Sequence, residues 1–584
     1  MVCMESEKCF SEYNEVLLFS TWGEPHEWEK LEYYVTCFKD LAKREKQKFS
    51  VGECFSTAEA LLKCLNKKAG LMIFCQDTLL LNIIKNTDKK EQEKIINDIW
   101  SKDTIKRKDL YISKILHYLR GSKAFEEISS KMCGEESGGG KRYPQEEDWC
   151  IPLPGVASYK EYFRLFVWRG DRYYEYVLGG MLIHALRKLL KTQGESIAVL
   201  VDTSHGVNYF AIALREAIPL ACSLWVLKKA FSDAERIDLH LYHYNAQPVI
   251  KPLYSFTATT PVSTAIEIVS FDRMGFQTSP PRSIGQHFEY LRERVESILM
   301  NWSFDEALSS LKSRVPWLEK DGQSTWEKIV ASTLLFVRGV LPWALRIAVD
   351  LNLNLDNLLE VSANKLSNVD LKLGRKRERK YTEPIEYMAT YRWESEHAPD
   401  AETTALATLA AILKEGSEKV LKPCEVEISR VIDELNKALE DPQSVEFLKK
   451  ASQLLDELKE EGNCKSMPLS RVEELAGRIY SKPFSVIIQT EVKQIENYFR
   501  VKPLKEYGER RVALLPDNDV IIRCEGFEVY LPAKEDSPNE RHFYAHMGLV
   551  RGTSYAVVCR DSEYTLLLGP YDTILKALKK WISG

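Results

Sequence analysis

The stretch SIAVLVDTSHGVNYFAIALREAI, Ser196–Ile218, changes character twice within twenty-three residues. SIAVLVD is a short apolar run rich in β-branched residues, DTSHG is polar and turn-like, and VNYFAIALREAI spaces its apolar residues as one face of a helix does. A strand, a loop and a helix in that order form one turn of an α/β fold. The pattern recurs on either side. EVLLFS (Glu15–Ser20) and GLMIFCQDT (Gly70–Thr78) are strand candidates with the helical STAEALLKCL between them. YVLGGMLIHALRKLLK (Tyr176–Lys191) reads as a helix, and RIDLHLYHY and TAIEIVSF read as two further strands. Alternation of this kind predicts a doubly wound α/β domain with a mostly parallel sheet.

At 584 residues the chain is too long for a single hydrophobic core, and two to four domains are expected. Its 45% hydrophobic and 28% charged residues are ordinary globular values. A net charge of −5 excludes a protein that coats nucleic acid through a general basic excess, so any nucleic-acid contact must be local. The thirteen cysteines show no C-x-x-C pair and no zinc-like spacing, and they read as reduced thiols of a cytoplasmic protein. The start, MVCMESEKCFSEYNE, lacks the basic and apolar regions of a signal peptide. The most apolar window, Ile329–Val349, is interrupted by Arg338, Pro342 and Arg346, so it predicts a buried helix pair and no membrane partner.

From about Ile284 the pattern turns to long helices, among them HFEYLRERVESILMNW, TTALATLAAILKE and EVEISRVIDELNKALED. Heptads are not sustained, which favours packed bundles over a coiled coil. Strand signals return in RRVALLPDNDVIIRCEGFEVYL and YAVVCRDSEYTLLLG, predicting a small β appendage. GEESGGGKRYPQ (Gly134–Gln145) lacks the phosphate-loop spacing and reads as a loop, as does the basic run KLGRKRERK (Lys372–Lys380).

No G-x-G-x-x-G follows the first strand, so a dinucleotide redox function loses its main support. What stands at the strand ends is polar. Ser20, Thr21, Trp22 and Gly23 close the first strand, and Asp202, Thr203, Ser204, His205, Gly206 and Asn208 follow another. Ligands of open α/β sheets bind outside the carboxyl ends of the strands, so these two loops are a candidate nucleotide pocket. They are equally read as helix caps, with Trp22 an anchor for its loop.

Near the C-terminus lies NERHFYAHMG, Asn539–Gly548. Ser537, Pro538 and Glu540 make a capping signature and Gly548 a stop, predicting a short helix on which Arg541 and His546 point about 140° apart. His542 and His546 share a face, but the catalytic zinc pattern needs a glutamate where Phe543 stands. R-x-x-x-x-H also occurs at Arg282/His287 and Arg392/His397, so the spacing alone decides nothing.

ERHFYAHMG resembles the R-(polar)-x-x-x-H motif of HEPN ribonucleases, with His542 at the position where asparagine is common. STWGEP and DTSHGVN resemble the ligand loops of CARF domains in the Csx-type proteins of type III CRISPR systems. The resemblance implies an α/β plus all-α chain. Residues 1–280 would be a Rossmann-like CARF sensor, 281–324 a helical linker and 325–584 a helical HEPN ribonuclease domain carrying the β appendage. It further implies cyclic oligoadenylate as activator, cyclic tetraadenylate before the hexamer, with the ten strand-end residues as ligand contacts. The substrate would be single-stranded RNA, cut without cofactor or metal by Arg541 and His546 at a composite site completed by a homodimer or higher even oligomer. Two other readings stay open: a ligand-sensing transcriptional regulator with an inert HEPN-like region, and a CARF half that degrades its own activator.

Overall fold

The computed structural model describes residues 9–65, 69–106, 112–133, 149–161, 164–170, 173–205, 208–249, 263–301, 304–314, 323–377, 385–392, 400–424, 428–440, 446–459, 464–507, 509–533, 538–550 and 553–583. Its internal contacts divide it into two units. The first comprises Met1–Trp225, Asp238–Met274 and Leu359–Thr404, and the second Val226–Ile237, Gly275–Leu358 and Ala405–Gly584.

The first unit is built on the sheet that the strand–loop–helix pattern predicts. Its elements run β1 (Glu15–Trp22), β2 (Leu31–Asp40), β3 (Glu45–Cys54), α1 (Thr57–Cys64), β4 (Gly70–Gln76), β5 (Cys150–Leu153), α2 (Tyr173–Leu190), β6 (Ser196–Asp202), α3 (Asn208–Ala230), β7 (Arg236–Val249) and β8 (Ser263–Thr278). In space the strands lie in the order β3-β2-β8-β7-β6-β1-β4-β5. The central pairs β6–β1, β1–β4, β4–β5 and β7–β6 are parallel, while β2 and β3 pair antiparallel at one edge. Val16 to Phe19 and Ile197 to Val201 are all buried, which is why both strands read as continuous apolar runs. Parallel pairing also sets all the central strand ends on one side, and the strand order reverses about β1 and β6.

A second sheet in this unit was not legible in the sequence. It places Thr104–Lys106, Asp370–Arg377, Ile385–Arg392, Arg164–Arg169 and Ala157–Glu161 side by side. The basic run expected as a loop is therefore in part a strand. Leu371 and Leu373 point inward while Lys372 between them is exposed, an alternation of period two. Tyr391 of the same sheet donates its hydroxyl to Asp77, just past β4, at 2.5 Å, and Gly155 N donates to the same carboxylate at 3.0 Å. These bonds join residues 385–392 to the first unit although they lie far along the chain. Gly134–Gln145 falls outside the described residues.

The second unit is mixed. The apolar window forms the expected helix pair, α4 (Gln323–Val337) and α5 (Leu341–Ala348). Helices also cover His287–Asn301 and Phe304–Arg314 in the region expected as a helical linker. The β appendage is larger than expected. Eight strands run from Lys422–Pro423 through Lys465–Pro468, Glu563–Leu568, Tyr555–Arg560, Phe527–Leu531, Val520–Cys524 and Val512–Leu514 to Lys505–Tyr507. The first two are too short to carry a sequence signal.

Two cysteine pairs depart from the expectation of reduced thiols: Cys9 is bonded to Cys37 and Cys424 to Cys464. Among the described residues one helix, Tyr209–Ala230, is long and apolar enough to cross a membrane, and 78% of it is buried inside the protein.

Candidate functional site

The strand-end site grows from the register of β1 on β6, which sets Ser20 opposite Asp202. Ser20 Oγ donates to Asp202 Oδ2 at 2.9 Å, and both residues are fully buried. Thr57 Oγ1 donates to the same oxygen at 2.5 Å, and the Ser204 amide donates to Oδ1 at 3.0 Å. A buried carboxylate needs such donors, because stripping its water without replacing the hydrogen bonds costs several kcal/mol, roughly. Asp202 thus organises the site, drawing together β1, β6 and the start of α1.

Thr203 and Ser204 tie the second loop to β7. The Thr203 hydroxyl donates to the Tyr244 carbonyl at 3.3 Å, and Ser204 Oγ accepts from the Ala246 amide at 2.9 Å. Trp22 is buried, edge-on to Trp28 at 5.1 Å, and Trp28 lies 4.4 Å from the His205 ring at 31°. Burial holds the His205 imidazole below its ordinary pKa, against the opposing pull of the Asp202 carboxylate. Among the described residues three polar atoms here are buried without a hydrogen-bond partner: Thr21 Oγ1, Trp22 Nε1 and His205 Nε2. Gly23 leaves open space where a side chain would be. Asn208 opens α3, and Gly206 lies outside the described residues.

The loop after β1 is fixed by residues of the insertion. Glu24 accepts from Tyr118 Oη at 3.0 Å, from the His26 amide at 3.1 Å and from Asn82 Nδ2, and His26 Nε2 bonds the Tyr118 carbonyl at 2.7 Å. A cavity of about 940 Å³ opens beside this loop, lined among others by His26, Trp28, Lys30, Phe55 and Lys123. Thr57 and Trp28 were not singled out from sequence. Thr57 had a signal, since STAE (Ser56–Glu59) is a capping pattern: Ser56 Oγ accepts from the Glu59 amide at 3.1 Å, and Glu59 accepts from the Phe55 amide at 2.8 Å.

At the C-terminal motif the helix α7 spans Glu540–Ala545. Its cap is Asn539, whose side chain accepts from the His542 amide at 3.3 Å; Ser537, expected as the cap, lies outside the described residues. Asparagine at this position leaves Pro538 just outside the helix and makes Glu540 its first residue. The helix stops as predicted at Gly548, which has φ +74° and donates its amide to the Phe543 carbonyl at 2.7 Å. His546 is already past the helix at φ −117° and ψ 33°, so helical periodicity no longer sets its direction relative to Arg541.

Phe543 is fully buried against Trp581, and Tyr544 packs on Trp581 with the Arg338 guanidinium 5.5 Å from its ring centre. This anchor leaves the polar residues outward. Arg541 is exposed and, among the described residues, makes no ion pair. His546 is 38% exposed, with Nδ1 3.0 Å from Oε2 of Glu491, whose side chain is 10% exposed. Glu491 sits on α8 (Lys482–Tyr498; numbered in order of introduction), and no sequence signal marked it. His542 is exposed, its ring 6.0 Å from that of His546. Of the other two pairs, His287 is fully buried and accepts the Gly275 amide at Nδ1 at 3.4 Å, while exposed Arg282 bonds Gln277 at 3.2 Å, a structural arrangement. His397 lies outside the described residues.

Comparison with known proteins adds one match. Residues 17–248, about two-fifths of the chain, match the family model described as "CRISPR system endoribonuclease Csx1, CARF domain". The N-terminal α/β region, including both strand-end loops, is thus a CARF domain similar to that of Csx1. No curated protein matches the chain.

Proposed function

We propose that the chain is a CRISPR-associated endoribonuclease switched on by cyclic oligoadenylate and cutting single-stranded RNA without a metal ion. The observation that carries the reading is the pairing of half-exposed His546 with buried Glu491 beside exposed Arg541, in a chain whose residues 17–248 match the Csx1 CARF domain. The sensing role is assigned to residues within 1–280 and cutting to residues within 325–584.

The chemistry suits these groups. The RNA 2′-hydroxyl attacks the adjacent phosphorus, the 5′-oxygen leaves, and a 2′,3′-cyclic phosphate forms. Histidine moves protons near neutrality, and arginine neutralises the phosphate oxygens as charge builds. One Arg541 and one His546 serve one side of the scissile bond, so the site is completed by the same residues of a second protomer in a homodimer or higher even oligomer. Cyclic tetraadenylate is the activator favoured by resemblance, and it meets Thr21, Trp22 and His205 at the strand ends. It activates only if it binds the competent dimer better than the idle one. The protein acts in the cytoplasm.

The test is cleavage of labelled single-stranded RNA in EDTA, with and without cyclic tetraadenylate or hexaadenylate, by the wild type and by His546→Ala and Arg541→Ala. Ligand-stimulated cutting that either variant abolishes is expected. Cutting that needs a divalent ion, or that survives His546→Ala, overturns the reading, and loss of the ring in the same tubes would reveal activator degradation.

A further inference from the structure

Three sulfurs meet inside the first unit, and a disulfide uses only two of them. Cys9 Sγ is bonded to Cys37 Sγ, and Cys64 Sγ lies 2.7 Å from Cys9 Sγ. All three lie within 4.8 Å of one another, and the residues are 3%, 2% and 8% exposed. They come from three pieces of chain. Cys9 belongs to the N-terminal segment, where it bridges Leu65; Cys37 is on β2; and Cys64 is the last residue of α1. Separations of 28 residues from Cys9 to Cys37 and 55 from Cys9 to Cys64 resemble no metal-binding motif, which is why spacing did not find the cluster.

The other disulfide supplies a comparison within the same chain. Cys424–Cys464 has no third cysteine in such a cluster among the described residues, and buried Cys54 on neighbouring β3 stays outside the Cys9 group. A bond that only staples the chain needs no third thiol. A buried shell of three converging cysteine sulfurs has another use, since structural zinc sites are built from three or four thiolates drawn from separate elements.

We infer that Cys9, Cys37 and Cys64, once reduced, form a trithiolate site for a thiophilic d10 cation, with zinc as the cation. A dithiol reductant opens Cys9–Cys37, taking up the bond as its own disulfide and leaving two thiols. With Cys64 these make three, and the cation displaces their protons as it binds. The disulfide and the metal are thus alternative ties at one place. Either fixes the end of α1, whose first residue, Thr57, bonds Asp202 in the strand-end site. The inference does not depend on the nuclease reading, and the site lies outside the cutting chemistry.

The test uses full-length protein reduced with a phosphine under anaerobic conditions, desalted and titrated with Co2+. One equivalent per chain should give sulfur-to-cobalt charge-transfer absorption that Zn2+ then bleaches. C64S, which leaves the disulfide pair intact, and C37S should each lose the band, with circular dichroism confirming their fold, and C54S should keep it. No thiolate band in the reduced wild type, or a band that folded C64S or folded C37S retains, overturns the inference.

Discussion

Glu491 Oε2 stands 3.0 Å from Nδ1 of His546, the residue that follows helix α7. A carboxylate on one imidazole nitrogen fixes the ring and leaves the other nitrogen for the substrate, the arrangement that orients histidine in many hydrolytic sites. Glu491→Gln keeps the shape but removes the charge that selects which nitrogen carries the proton. Ligand-stimulated RNA cleavage should fall by about 10- to 100-fold, while binding of cyclic oligoadenylate, measured by calorimetry, stays unchanged.

That pair also marks where the sequence stopped being informative. Strands such as Ser196–Asp202 were legible because burial on both faces of a parallel sheet writes a continuous apolar run. The polar loops after β1 and β6 were legible because the apolar run ends abruptly. Their junction was not, since the register that sets Ser20 against Asp202 spans 182 residues and is decided by packing. Glu491 lies 55 residues before His546 on a helix that reads as an ordinary amphipathic one. Asp370–Arg377 was taken for a loop because its charges outweighed the alternation of Leu371 and Leu373.

The Asp202 carboxylate draws on two hydroxyls, from Ser20 and Thr57. Thr57→Val is nearly isosteric and removes one donor from a fully buried acceptor, which costs about 1–3 kcal/mol. The first unit should unfold at lower denaturant concentration, and the ligand concentration needed for half-maximal activation should rise. Ser56→Ala, which removes only the helix cap, should cost about 1 kcal/mol with little change in activation.

His287 is wholly buried, and burial lowers its pKa from 6.5 to about 4 even though backbone groups at Arg478 and Ile479 oppose the shift. In the unfolded chain it protonates below pH 6.5, whereas in the folded chain it resists until about pH 4. Between those values the unfolded state binds more protons, so stability falls as pH drops through that window and does not fall further for this group below it. The loss is on the order of 3 kcal/mol. His287→Gln, which can still accept the Gly275 amide, should flatten the acid side of a plot of denaturation midpoint against pH.

Gly548 is where the cutting motif is locked to the helices beneath it. Its φ of +74° is one that side-chain-bearing residues rarely adopt, and a Cβ there would stand 2.6 Å from Trp343 Cδ1 and 2.8 Å from Val340 Cγ1. The Trp343 indole, fully buried on α5, donates to the Gly548 carbonyl at 3.0 Å, so neither partner can move aside without breaking that bond. Gly548→Ala therefore combines backbone strain with a clash, together about 2–4 kcal/mol. Because His546 is held only two residues earlier, the same change should displace it from Glu491. Differential scanning fluorimetry should show a lower melting temperature, and RNA cleavage should be lost at temperatures where the fold is still intact. A variant as stable and as active as the wild type would mean that this turn does not position the histidine.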